Sequence, residues 1–122
     1  MNEDEAVMLF KSRDVNPNWD PLEADDLRVG GVYFSLGFAD NSFHVPSLDT
    51  MVLVEVSERN GTRVFLFQLA TAYFSGISYD AAGEHEVPML FEYDEDSLNS
   101  IFDFDGVLEQ FLVCALHRQG AI

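Results

Sequence analysis

The sequence predicts an α+β domain: an antiparallel sheet of four to five strands, strongly curled or barrel-like, with a C-terminal helix packed on it. Three observations carry this. An Asn60-Gly61 turn sits between two apolar β-rich runs. Apolar residues recur at three- and four-residue steps near the C-terminus. Hydrophobic residues make up 48% of 122 residues, eleven of them Phe, enough to fill a core. That length fits one domain. It divides into an N-terminal helix and turn wrap (1–30), a β region (31–93) and a helical end (94–119).

In residues 1–13, the acids Glu3, Asp4 and Glu5 suit a helix start, and Val7, Met8 and Phe10 give it an apolar face. Residues 14–30 are turn-rich. Pro17 and Pro21 oppose helix, and Trp19 and Leu22 are expected to pin the segment to the body.

Val32 to Phe38 alternates like a strand, entered through Gly30-Gly31. Residues 39–49 read as a loop, and Met51 to Ser57 as the next strand. Asn60-Gly61 suits the two positive φ angles of a type I′ turn. That turn sets Glu58 opposite Arg63 and Arg59 opposite Thr62, with Arg63 to Ala70 as the return strand. Both hairpin strands are apolar on nearly both faces, which implies a central position or a contact with another subunit. Val52, Val54 and Val56 are expected on one side. Residues 71–80 read as a further strand broken at Gly76, residues 81–86 as a loop, and Val87 to Tyr93 as a last strand limited by Pro88.

For the helical end, Asp94 or Ser97 is the expected cap. Leu98, Ile101, Phe102, Phe104, Leu108, Phe111, Leu112 and Ala115 form the apolar stripe. Gly106 is expected to divide two helices, roughly 97–103 and 105–118.

Charge narrows the function classes. There are 22 acids against six bases, for a net charge of −16. From residue 64 to residue 117 no Lys or Arg occurs, while ten acids do. Such a field repels nucleic acid and anionic lipid, which need positive charge to displace counterions. It attracts a basic protein surface. The expected partner is therefore a basic protein, with no nucleic acid and no membrane. Acidity also keeps an apolar domain soluble without any partner.

The candidate binding acids are Glu92, Asp94, Glu95, Asp96, Asp103, Asp105 and Glu109. Tyr93 and Tyr79 are the candidate aromatic rim, since guanidinium groups pair with acids and stack on rings. The acids do not form an EF-hand. Counted from Asp94, the fifth loop position is Leu98; counted from Asp103, the twelfth is Cys114.

No catalytic residue, metal site or cofactor is assigned. His85 lies between Glu84 and Glu86 without a second His at metalloprotease spacing. His44 sits beside Phe43 and Val45, and a helix end accounts for His117. Cys114 reads as a small core residue, and a single cysteine makes no intrachain disulfide. There is no phosphate-binding glycine motif and no nucleophile elbow. The acidic start lacks the basic region of a signal peptide, so the expected location is cytoplasmic. The resulting expectation is a small acidic non-catalytic binding protein, of the kind that inhibits or neutralises a basic partner or mimics nucleic acid. Two alternatives stand beside it: a homo-oligomeric accessory domain, as a homodimer through the hairpin, and an enzyme or small-ligand binder with a carboxylate-lined pocket.

Overall fold

The computed structural model describes residues 14–79 and 89–120. One five-stranded antiparallel sheet dominates them. Its strands are β1 (Val32–Phe38), β2 (Pro46–Arg59), β3 (Thr62–Leu69), β4 (Leu90–Asp94) and β5 (Ile101–Phe102). Among the described residues two α-helices, α1 (Ala70–Phe74) and α2 (Phe104–Arg118), and a short 3-10 turn at Ala24–Asp26 complete it. The order across the sheet is β4-β3-β2-β1-β5.

The β2–β3 hairpin forms as its turn residues require. Asn60 and Gly61 both have positive φ, 55° and 82°. Glu58 pairs with Arg63 and Arg59 with Thr62. The two strands take central positions, and Met51, Val52 and Leu53 are fully buried. Between Leu53 and Glu55 the register shifts. This bulge spoils simple alternation: Val52 pairs with Gln68 but Val56 with Phe65, so the two valines lie on opposite faces.

Each face has its own core. On one, Tyr33, Met51, Leu53, Phe65 and Phe67 pack with Leu27, Leu98 and Ile101. Two segments outside the sheet therefore cover it, the one around Leu22–Leu27 and the crossing from β4 to β5. On the other face Leu36, Phe102 and Val107 pack with Phe34 and Phe111, which seats α2 over β1 and β5.

Further expectations need correction. The sheet is open, not closed into a barrel. Among the described residues its edge strands, five and two residues long, pair only inward, with β3 and β1. Where a strand is expected over 71–80, residues 71–74 belong to α1, Gly76 at φ 82° follows its end, and residue 80 lies outside the described residues. The Thr-Ala-Tyr-Phe run has no two-residue alternation, and Gly76 acts as a helix terminator. The loop expected over 39–49 is shorter, since β2 begins at Pro46.

The helical end begins later than residues 94–97. Asp94 and Ser97 do offer capping chemistry, but they spend it on a turn. Ser97 N–H donates to the Asp94 carbonyl, Asp94 N–H to Ser97 Oγ, and Asp96 N–H to the Asp94 carboxylate. Leu98 and Ile101, expected on a helical stripe, enter the sheet core instead. The cap of α2 is Asp103, whose carboxylate accepts from Gly106 N–H at 2.7 Å. Gly106 thus belongs to the first turn of one helix and divides nothing. The N-terminal helix, the 81–86 loop with His85, and Val87-Pro88 of the expected last strand lie outside the described residues.

Candidate functional site

The segment Asp14–Asp20 lies across α2, and its composition alternates. Residues 14, 16, 18 and 20 are Asp, Asn, Asn and Asp; residues 15, 17 and 19 are Val, Pro and Trp. The four polar residues line one cleft, and Pro17 and Trp19 line another.

The polar side, with α2, lines a cleft of about 410 Å³ formed by Asp14, Asn16, Asn18, Asp20, Asp105, Gly106, Glu109 and Gln110. Four carboxylates line it, and no Lys, Arg or His does so among the described residues. Asn16 N–H donates to Glu109. Gln110, which is buried, donates its side-chain amide to the Asn18 carbonyl at 2.7 Å.

The apolar side lines a smaller cleft of about 190 Å³, with Pro17, Trp19, Phe38, Phe43, Val113 and Cys114 among its walls and Ser42 and His117 at its polar margin. Trp19 is held at both ends. Its Nε1–H donates to the Asn99 carbonyl at 2.7 Å, and its ring meets Phe102 edge-on at 4.9 Å. Leu22 N–H donates to the Ile101 carbonyl. Trp19 and Leu22 therefore do pin the segment. The α2 residues of the two clefts (106, 109, 110, 113, 114 and 117) form one stripe at helical spacing, with Gln110 shared.

The loop before β2 closes the second cleft. The Asp40 carboxylate accepts from the N–H groups of Val45 (2.8 Å) and His44 (3.0 Å). Those bonds, that from Val45 foremost, hold the Asp40 carboxyl below the ordinary carboxylate range. The Cys114 thiol donates to the carbonyls of Phe43 and His44 at 3.6 and 3.4 Å. Its hydrogen is directed at carbonyls, not at an imidazole. Cys114 is buried, as a core residue should be.

The seven candidate acids do not form one patch. Glu92 and Asp94 stand on β4 at one edge of the sheet, and Asp103 follows β5 at the other. Four strand spacings separate those edges, about 19 Å. Glu92, Asp94 and Asp96 border a separate concavity with Arg59, which pairs with Glu92 at 2.8 Å. Glu95 pairs with Arg63 at 3.5 Å and accepts from its backbone N–H. Arg63 also pairs with Asp25 at 2.9 Å, and that hydrogen bond leads the effects raising its pKa. Asp103 is committed to its cap. Only Asp105 and Glu109 face the acidic cleft.

Tyr93 is not a rim residue. It packs on Phe67 at 5.6 Å on the face away from Glu92 and Asp94, with its hydroxyl 3.3 Å from Ser35 Oγ. Tyr79 is half-buried beyond α1. Sequence reasoning passed over Asp14, although the alternation along 14–20 was a usable signal. It also passed over Phe43, for which no comparable signal exists.

Among the described residues, no group of three or more His, Cys, Asp and Glu is placed to hold a metal ion. No helix among them is long and apolar enough to cross a membrane. No protein-family model matches the chain, and neither a curated protein nor a solved structure matches it.

Proposed function

We propose that this protein is a non-catalytic binding protein that engages a basic protein partner, as an inhibitor, an immunity protein or a nucleic-acid mimic does. The acidic cleft between the 14–20 segment and α2 is the proposed docking point. The observation that carries the reading is the lining itself: Asp14, Asp20 and Asp105 converge on one cleft beside Glu109, whose carboxylate accepts from Asn16 N–H. The net charge of −16 steers a basic partner toward it. The acids on β4 are a weaker candidate surface, because Arg59 and Arg63 already answer Glu92 and Glu95. A cytoplasmic location belongs to the same reading.

The test compares the wild type, immobilised, with the variant D14N/D20N/D105N/E109Q in a host lysate at low salt. A basic protein retained by the wild type, released by salt and lost from the variant supports the proposal. Association with that protein is expected to slow roughly tenfold in the variant. Equal retention by both would remove the cleft from the proposal. Retention of no basic protein, together with a stable dimer by light scattering, would favour the homo-oligomeric alternative.

A further inference from the structure

We infer that the aromatic cleft binds a small quaternary ammonium ion of the choline kind, held by the π faces of Trp19, Phe38 and Phe43. The inference goes beyond the basic-partner reading and does not rest on it. Aromatic rings carry a negative face, and a ligand cation within about 6 Å of a ring centroid is drawn to it. At about 190 Å³ the cleft is smaller than sites for drug-sized ligands, which run roughly 300–1,000 Å³. It suits a compact headgroup.

The three rings line the cleft at different inclinations. Phe38 meets Phe43 at 5.3 Å with the planes 90° apart, and Trp19 stands 6.3 Å from Phe38 with the planes 48° apart. With those two separations, one position lies within about 6 Å of all three centroids. The Trp19 N–H is already engaged by the Asn99 carbonyl, so the indole offers the cleft π surface and no donor. Trp19 and Phe43 remain 45% and 60% exposed, which leaves ring surface open to a ligand. Phe43 holds φ at 58°, in the left-handed region that non-glycine residues avoid. The Asp40 carboxylate and the Cys114 thiol fix the backbone around it. The ring is therefore placed before any ligand arrives.

Charge and hydrogen bonding select the occupant. The net charge of −16 draws cations, and no Lys or Arg lines this cleft among the described residues. His117, at its margin, stands in the last turn of α2, where the helix dipole is negative. No carboxylate lines the cleft among the described residues either. That counts against a Lys ammonium or an Arg guanidinium, whose several N–H donors each need an acceptor. The carbonyls of Phe43 and His44 already accept from the Cys114 thiol. A quaternary ammonium has no N–H to satisfy, so ring faces and a negative field meet all that it needs. A neutral group of the same size gains from burial but not from the charge, and an anion is repelled.

The test titrates the protein with choline, with ethanolamine and with the neutral alcohol in which carbon replaces the choline nitrogen, all at matched ionic strength. Binding is read from the emission of Trp19, the single tryptophan, and from calorimetry. Choline is expected to bind about tenfold more tightly than either of the others. Phe43→Leu keeps an apolar wall but removes a π face. It should lose most of the advantage of choline over the neutral alcohol and bind that alcohol much as the wild type does, with urea unfolding confirming that it keeps its fold. Equal binding of choline and the neutral alcohol overturns the inference in favour of a plain apolar pocket. Equal binding of choline and ethanolamine overturns the selection of a quaternary ion. An unchanged choline advantage in folded Phe43→Leu overturns the role given to the rings. Absence of binding by all three compounds overturns the inference outright. None of these results bears on capture of a basic protein by the acidic cleft, so the two readings fail separately.

Discussion

The buried Gln110 side chain donates to the Asn18 carbonyl at 2.7 Å and so ties the middle of α2 to the 14–20 segment. Both clefts depend on that tie, since Gln110 lines each of them. Gln110→Glu keeps the size but removes the donor and sets a carboxylate next to Glu109. It is expected to destabilise the protein by about 1–3 kcal/mol, measured by urea unfolding. Trp19 emission should also shift as the segment loosens. Unchanged emission and stability would mean that the segment is held elsewhere.

Asp40 makes the loop that carries Phe43 sensitive to acid. Its folded pKa lies below its ordinary value, so its stabilising effect is present above about pH 3.9. The effect is lost as pH falls through the lower, folded value. The Val45 amide resonance should therefore titrate with a midpoint below about 3.9. Asp40→Asn should abolish that titration while leaving the loop in place at neutral pH. A midpoint at or above the ordinary carboxylate value would contradict the bonding described.

The β2–β3 turn separates backbone strain from packing. Gly61 has φ 82°, and a Cβ there would meet nothing within 4 Å. Gly61→Ala should cost about 1–2 kcal/mol through the left-handed backbone alone. Gly37 in β1 also has open space but needs no positive φ, so Gly37→Ala should be close to neutral. Equal effects at the two positions in thermal unfolding would refute a strain explanation.

These contrasts show what was legible in the sequence. The hairpin was, because Asn60-Gly61 fixes both turn and register locally. Strand β1 and the body of α2 were, because their periodicity spans enough residues. The start of α2 was misplaced because Asp94, Ser97 and Asp103 have equal local claims to a cap. Tertiary burial of Leu98 and Ile101 decides among them. The acidic site was half legible for the same reason. Asp105 and Glu109 were named from the run of acids, but Asp14 and Asp20 join them through long-range contacts of the 14–20 segment, such as the Asn18–Gln110 tie, 92 residues apart in sequence. The absence of Lys and Arg between Arg63 and Arg118 drew attention to β4, where Arg59 and Arg63 nonetheless return by strand pairing.

The acidic cleft sets stability against binding. Asp105 and Glu109 are like charges four residues apart on α2, an arrangement that destabilises a helix by a few tenths of a kcal/mol. Asp14 and Asp20 add to the same field. Raising the salt from 0.01 to 0.5 M shortens the screening length from about 30 Å to less than 8 Å. The melting temperature should therefore rise with salt. Asp20→Asn should stabilise the protein at low salt by roughly a few tenths of a kcal/mol, because it takes one like charge out of that field. The gain should shrink at high salt, while capture of the basic partner weakens. A loss of stability in Asp20→Asn at low salt would show that this carboxylate serves the fold, and the cleft would then need no partner to explain its charge.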